Sequence, residues 1–212
     1  MKAWLRPRCI GEIDMLKPTT NILPEPAVIL DWILGRRDGE ITHLFEELGS
    51  ASPRLDWDPE PETFESGKLR QLNEHWRGLA GDGVPARSDF YPEDVAYMLG
   101  NLALIELCEE TGDLRYRLFG TTLAERYERD LTGTAVAETA ETLARFFAAA
   151  FRGVLREQRP LYTRHLPPNE SEVNDCQRLI LPFADGNGVA RHLLIGHLPY
   201  RAPLGSVARS IG

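Results

Sequence analysis

CQRLILPFADGNGVARHLLIGHLPY, residues 176–200, holds two strand-like runs joined by Asp185-Gly186-Asn187-Gly188, and its reading decides the fold. Gly and Asn tolerate the positive φ that hairpin turns require, so residues 176–184 and 189–200 are expected to pair antiparallel. In the first run Leu179, Leu181 and Phe183 alternate with Ile180, which makes both faces of the sheet apolar. Pro182 has no N–H for a ladder and implies a bulge or an unpaired stretch beside it.

Working outward, LYTRHL (161–166) is a third run of the same kind. Before it the period changes: Leu143, Phe146, Phe147, Ala150, Phe151, Val154 and Leu155 recur at helical spacing, so residues 139–157 are expected to form one long amphipathic helix. Thr139 reads as its N-cap and Pro160 as its stop, with the three phenylalanines facing the sheet. Upstream, NLALIELCE (101–109) and LRYRLFG (114–120) flank a polar loop containing Gly112 and read as another antiparallel pair. In the second of them Leu114, Tyr116 and Leu118 alternate with Arg115, Arg117 and Phe119. The expected class is α+β, a five-stranded antiparallel sheet with flanking helices and one long amphipathic helix.

The N-terminal part carries weaker signals. Residues 27–34 and 41–48 each read as a short apolar-faced helix, punctuated by Gly35 and Gly39. Asp56, Asp58, Glu60, Glu62 and Glu65 surround Pro59 and Pro61 with no base among them, which reads as a solvated acidic linker. In residues 68–79 the side chains Leu69, Leu72, Trp76 and Leu79 fall on one stripe, which suits covering the outer sheet face or pairing with a second copy. The expected organisation is an N-terminal helical extension over 1–66, a main domain over 67–202 and a tail over 203–212.

A chain of 212 residues, 42% hydrophobic and 26% charged, can bury one good core. A net charge of −8 opposes affinity for nucleic acid or anionic membrane, which clustered Lys and Arg would supply. No run of apolar residues is long enough to span a bilayer and none resembles a signal peptide, so a cytoplasmic location is expected. Cys9, Cys108 and Cys176 are odd in number and lack CxxC spacing, which indicates neither a disulfide frame nor a zinc site.

Three stretches in order carry a resemblance. Pro85-Ala86-Arg87-Ser88-Asp89, the strand end Tyr116-Arg117-Leu118-Phe119-Gly120-Thr121 and the loop Arg129-Asp130-Leu131-Thr132-Gly133 are similar to the PARSD, YRLxGT and GRDLTG motifs of a small bacterial PAS-domain family. The chain departs from that pattern at Glu128, where the family has Gly. The resemblance spans about residues 68–200 and implies a sensor without an output domain of its own, binding a small molecule or a signalling protein. It also implies a homodimer through an N-terminal helix.

Signatures of chemistry are sparse. There is no GxSxG, Walker, HExxH or GxGxxG motif, and Gly186-Asn187-Gly188 joins two strands and cannot open a helix. His192 and His197 sit five apart on one expected strand, hence on opposite faces, and no metal site is expected. The family's haem-bearing members take a His from the long helix and its flavin-bearing members a Cys in an NCRFL-type motif; both are missing, so no cofactor is expected. The expected pocket lies between sheet and helices, drawn from Tyr116, Leu118, Leu123, Tyr127, Phe147, Phe151, Leu179, Leu181 and Leu193, with Arg117, Arg126 and His165 at its rim. An arginine there would favour a carboxylate or phosphate. Two alternatives stand beside the sensor: a dimerisation module whose aromatics simply fill a core, and a small enzyme using Asp89, Asp130 or Glu106 with a histidine.

Overall fold

The computed structural model describes residues 26–36, 45, 52–81, 83–139, 144–165 and 175–200. Among them lie β1 (Arg54–Trp57), β2 (Leu102–Leu107), β3 (Leu114–Phe119), β4 (Leu161–His165), β5 (Asp175–Ala184) and β6 (Ala190–Tyr200). They form one antiparallel sheet in the order β1-β4-β5-β6-β2-β3. The α+β class and the five expected strands hold, and a sixth is added. As Pro182 implied, the β5–β6 pairing slips in register, between Phe183 and Ala184.

The sixth strand, β1, corrects the reading of residues 56–65 as a solvated linker. Its four residues pair with β4, from Arg54 opposite Arg164 to Trp57 opposite Leu161. Four of the acidic residues do meet bases: Asp56 pairs with Arg54 just before it, and Asp58 with Arg159, Glu60 with Arg77 and Glu65 with Arg164 at a distance in sequence. Trp57 donates from Nε1 to the carbonyl of Ile33, at 3.1 Å.

One sheet face is covered by α2 (Gly67–Ala80). Its apolar stripe, with Leu69, Leu72 and Trp76 buried and Leu79 partly so, packs on Leu179, Leu181, Phe183 and Leu194. Burying each such side chain contributes about 1.5–3 kcal/mol, so the stripe is spent on the chain's own sheet. Gly196 lets the helix lie this close: a Cβ there would stand 2.7 Å from Leu72 Cδ2 and 2.9 Å from Leu69 Cδ2. Trp76 Nε1 donates to the carbonyl of Pro182, at 2.7 Å.

The other face carries a short α3 (Thr121–Arg126) and the long α4 (Ala144–Glu157). Residues 140–143, Leu143 included, which separate the expected N-cap Thr139 from α4, lie outside those described; the Thr139 hydroxyl donates to the carbonyl of Val136. Helix α4 is buried on two sides. Phe147 and Phe151 face the sheet, whereas Phe146 turns away from it toward Phe45, at 5.3 Å, and Trp32 of α1 (Pro26–Ile33), at 6.3 Å. That corrects the expectation that all three phenylalanines face the sheet. Of the helix expected over 41–48 only Phe45 is described, helical and buried. The 203–212 tail lies outside the described residues.

The three family-like motifs serve the scaffold. Pro85 accepts from the Ala184 amide, and Phe90, just past the PARSD stretch, packs on Phe183 with the Arg87 guanidinium over its ring. At the second motif Gly120 comes so near the next segment that a Cβ would lie 2.6 Å from the Leu99 and Gly100 carbonyl oxygens. The loop 129–133 runs along the free edge of β3: Gly133 donates to Tyr116, Tyr116 to Thr134, and the Phe119 amide to the Thr132 hydroxyl. An exposed strand edge is a template for unwanted pairing, and this loop closes it. Glu128 has φ +53°, a left-handed conformation that glycine adopts at less cost.

Candidate functional site

Between α4 and the sheet is a cavity of about 30 Å³. Its walls come from β2 and β3 (Ala103, Tyr116, Phe119), from α3 and the turn after it (Leu123, Tyr127), from Val136 and Thr139, from α4 (Phe147, Phe151) and from β5 and β6 (Arg178, Ile195, His197). A drug-sized ligand site measures roughly 300–1,000 Å³. In this conformation the space suits a few heavy atoms.

Strand register assembles a buried polar group that reaches this cavity through Arg178 and His197. Thr163 of β4, Arg178 of β5 and His197 of β6 are directly opposite one another across the three strands, so their side chains share a face. His165, two residues from Thr163, shares it too. All four are buried, Arg178 being 8% and His197 3% exposed. The Arg178 guanidinium lies 3.6 Å from the centre of the Phe147 ring and donates to the Tyr127 hydroxyl at 2.8 Å. The ring of His165 is 5.4 Å from that of Phe147, and the ring of His197 is 6.0 Å from that of Tyr127.

Burial first, and the Arg178 charge second, hold His165 well below the ordinary histidine range; the same two causes, with Arg126 and His165 added, do so for His197. Both imidazoles are therefore neutral at pH 7. Each then has one donor and one acceptor nitrogen. Nε2 of His197, Nδ1 of His165 and the hydroxyl of Thr163 find no hydrogen-bond partner among the described residues.

Of the residues expected in the pocket, Tyr116, Leu123, Tyr127, Phe147 and Phe151 line the cavity. His165 lies behind Phe147, and Leu193 is in the same core without reaching the cavity. Arg126 is also off the lining, and its Nη2 donates to Asn101 Oδ1 at 3.3 Å. The structure overturns four placements. Leu179 and Leu181 face α2, because odd and even positions of β5 look to opposite sides. Leu118 is 47% exposed and Arg117 is exposed against Glu106. The cause is a register shift in the β2–β3 pair: Leu104 is opposite Leu118 but Ile105 is opposite Tyr116, which leaves Arg117 as the extra residue. Tyr116 and Phe119, three apart, thereby face the same cavity.

Arg178 and His197 are buried residues of the cavity wall that the sequence reading missed. The signal was there: each is two positions from an inward-facing isoleucine, Ile180 and Ile195, on a strand of period two. The carboxylates considered for acid–base work lie off the cavity lining. Asp130 accepts from the Thr132 amide, which lowers its pKa, and Glu106 pairs with Arg117. His165 is directly opposite Cys176, and the described residues contain no group of three or more metal-binding side chains. No helix among the described residues is long and apolar enough to cross a membrane.

A family model described as a PAS domain matches residues 64–198. No curated protein matches. Among solved structures, that of an RNA-binding light-oxygen-voltage receptor is similar at 12% identity and a TM-score of 0.32, over 81% of this chain and 47% of the receptor chain. This chain thus spans about half the length of that receptor.

Proposed function

The chain belongs to the PAS-domain family, and from that premise we propose that it is a sensory module that reads a small molecule in the cavity beneath α4 and signals to another protein. The observation that carries the reading is the pair Arg178 and His197, directly opposite each other in the sheet and buried in the wall of that cavity. A core that only needed filling has no use for the His197 Nε2, which finds no hydrogen-bond partner among the described residues, since an unsatisfied buried polar group costs about 1–3 kcal/mol. Ligand sites, in contrast, combine apolar walls with a few convergent polar groups.

Helix α4 is the natural transmitter. Phe147 touches the cavity side and the adjacent Phe146 touches Phe45 and Trp32. A ligand that displaces Phe147 therefore acts on the N-terminal elements through one rigid helix, the kind of small shift that packed interfaces convert into a switch. Signalling in the cytoplasm and a homodimer are part of the proposal. The dimer would use a surface other than the Leu69–Leu72–Trp76 stripe, which the chain's own sheet occupies. No cofactor and no catalytic step enter it: the reading uses only the cavity's own side chains, and the candidate carboxylates lie off its lining.

The small volume favours a second reading, a dimerisation module with a filled core. Native mass spectrometry of the purified full chain, compared before and after denaturation, separates the two. Added mass released on denaturation supports the ligand sensor, and a clean dimer supports the interaction module. A clean monomer without added mass contradicts both.

A further inference from the structure

We infer, resting on the homodimer in the reading above and not on its cavity, that the outer edge of β1 is the dimer contact, where Arg54–Trp57 pairs antiparallel with the same strand of a second copy. The two edges of the sheet differ. The loop 129–133 closes the β3 edge. The β1 edge is accessible, with Arg54 exposed and Leu55, Asp56 and Trp57 half-buried. This strand precedes residues 64–198, which the family model matches, so its edge lies outside the matched core.

The direction of the backbone groups follows from one bond. The Asp58 amide donates to the carbonyl of Pro160 at 2.9 Å, and the β1–β4 register carries Asp58 to a position directly opposite Pro160. Hydrogen-bonded pairs alternate along an antiparallel ladder, so Arg54 and Asp56 turn their N–H and C=O toward β4, whereas Leu55 and Trp57 turn theirs away from it. Pro53 and Pro59 flank the strand and lack an N–H, which confines this row of donors and acceptors to one short slot. An added strand completes such a row.

Charge selects the occupant. The Leu55 and Trp57 side chains pack against the α4-side core, while Arg54 and Asp56 are on the opposite face and pair with each other at 2.7 Å. With Leu55 on a two-fold axis, it exchanges both outward bonds with Leu55 of the partner subunit, and Arg54 falls opposite Asp56 of the partner subunit, reciprocally by symmetry. Centring on Arg54 or Asp56 instead sets like charges against each other. The strand is therefore complementary to itself in a register that uses its outward bonds. The contact also reaches the proposed transmitter, since a Cβ on Gly153 of α4 would stand 3.7 Å from the Trp57 ring.

Sedimentation velocity of the full chain over a concentration series tests the contact, with circular dichroism as the check on folding. The parent is expected to dimerise. Arg54→Asp and Asp56→Arg each set like charges opposite one another, and each is expected to weaken the dimer about tenfold or more. An equimolar mixture of the two variants is expected to recover it, because each then faces opposite charges on the other. Leu55→Pro removes an outward N–H without taking a bond from β4, and is expected to weaken the dimer by a similar factor. The charge variants alter a solvent-facing pair and keep the test open where Leu55→Pro does not fold. Charge variants that dimerise as tightly as the parent would overturn the edge contact and leave a homodimer through another surface, as would a mixture no tighter than either variant alone. A parent that stays monomeric at every concentration would overturn the contact and the homodimer together, leaving the edge to a strand of another protein.

Discussion

Lowering the pH from 7.5 to 5.5 tests the burial of His165 and His197 directly. In the fold both imidazoles resist protonation, first because they are buried and second because Arg178 is beside them. In the unfolded chain each titrates near 6.5. The unfolded state therefore binds protons that the fold refuses, so stability is complete above the unfolded value and is lost as the pH falls through it. Each histidine that stays neutral in the fold loses on the order of 1 kcal/mol of stability between pH 7.5 and 5.5, because the unfolded imidazole takes up a proton over that interval. The pair should cost roughly 2–3 kcal/mol, a large share of a typical domain stability of about 5–15 kcal/mol. Asp130 and Asp185, whose pKa values are lowered chiefly by backbone amides, lose their contribution only below the ordinary carboxylate range, outside this window. The assay is urea unfolding followed by tryptophan fluorescence at pH 7.5, 6.5 and 5.5, at constant ionic strength. His197→Gln removes one of the two deeply buried titrations and should reduce the loss between pH 6.5 and 5.5, leaving the parts due to His165 and to His192, whose pKa burial also lowers, which separates it from the general effect of changing net charge. A parent stability that is flat or rising toward pH 5.5 would refute the argument, because it would require the imidazoles to gain a proton without penalty.

Three further outcomes follow from local geometry, each readable as a change in urea or thermal midpoint. Glu128→Gly relieves a non-glycine residue at φ +53° and should stabilise by about 0.5–1 kcal/mol, the relief being partly offset by greater freedom of the unfolded chain. Gly196→Val places methyl groups where even a Cβ would come within 2.7 Å of Leu72, and should destabilise by about 1–3 kcal/mol or more as α2 lifts from the sheet. Trp76→Phe keeps most of the apolar contact but strands the Pro182 carbonyl, and should cost about 1–2 kcal/mol.

The helix and the strands of the main domain were legible because their periods are local properties of the chain: Phe147, Ala150, Phe151 and Val154 show 3.6, and Leu179 through Phe183 show two. Strand β1 was not, because RLDW is four residues long, follows Pro53 and precedes Pro59, and pairs with a strand about 100 residues later. Asp58 and Glu65, which follow it, looked unpaired for the same reason, as Arg159 and Arg164 are remote in sequence. Alternation placed Tyr116 correctly and failed two residues later, where the irregularity at Arg117 turns Leu118 outward; no composition signal marks that bulge. Leu179 and Leu181 were assigned to the wrong side because the sheet is apolar on both faces. Sequence period cannot say which face looks at α4. Once Ile180 is known to do so, Arg178 follows at once.

The central claim is that the space bounded by Phe147, Phe151, Arg178 and His197 exists to hold a molecule. The most direct measurement is a crystal structure of the protein as purified, with attention to the electron density in that space. The account predicts compact non-protein density within hydrogen-bond distance of the Arg178 guanidinium and His197 Nε2. Side chains closing the space, with His197 Nε2 bonded to a protein group, would contradict it.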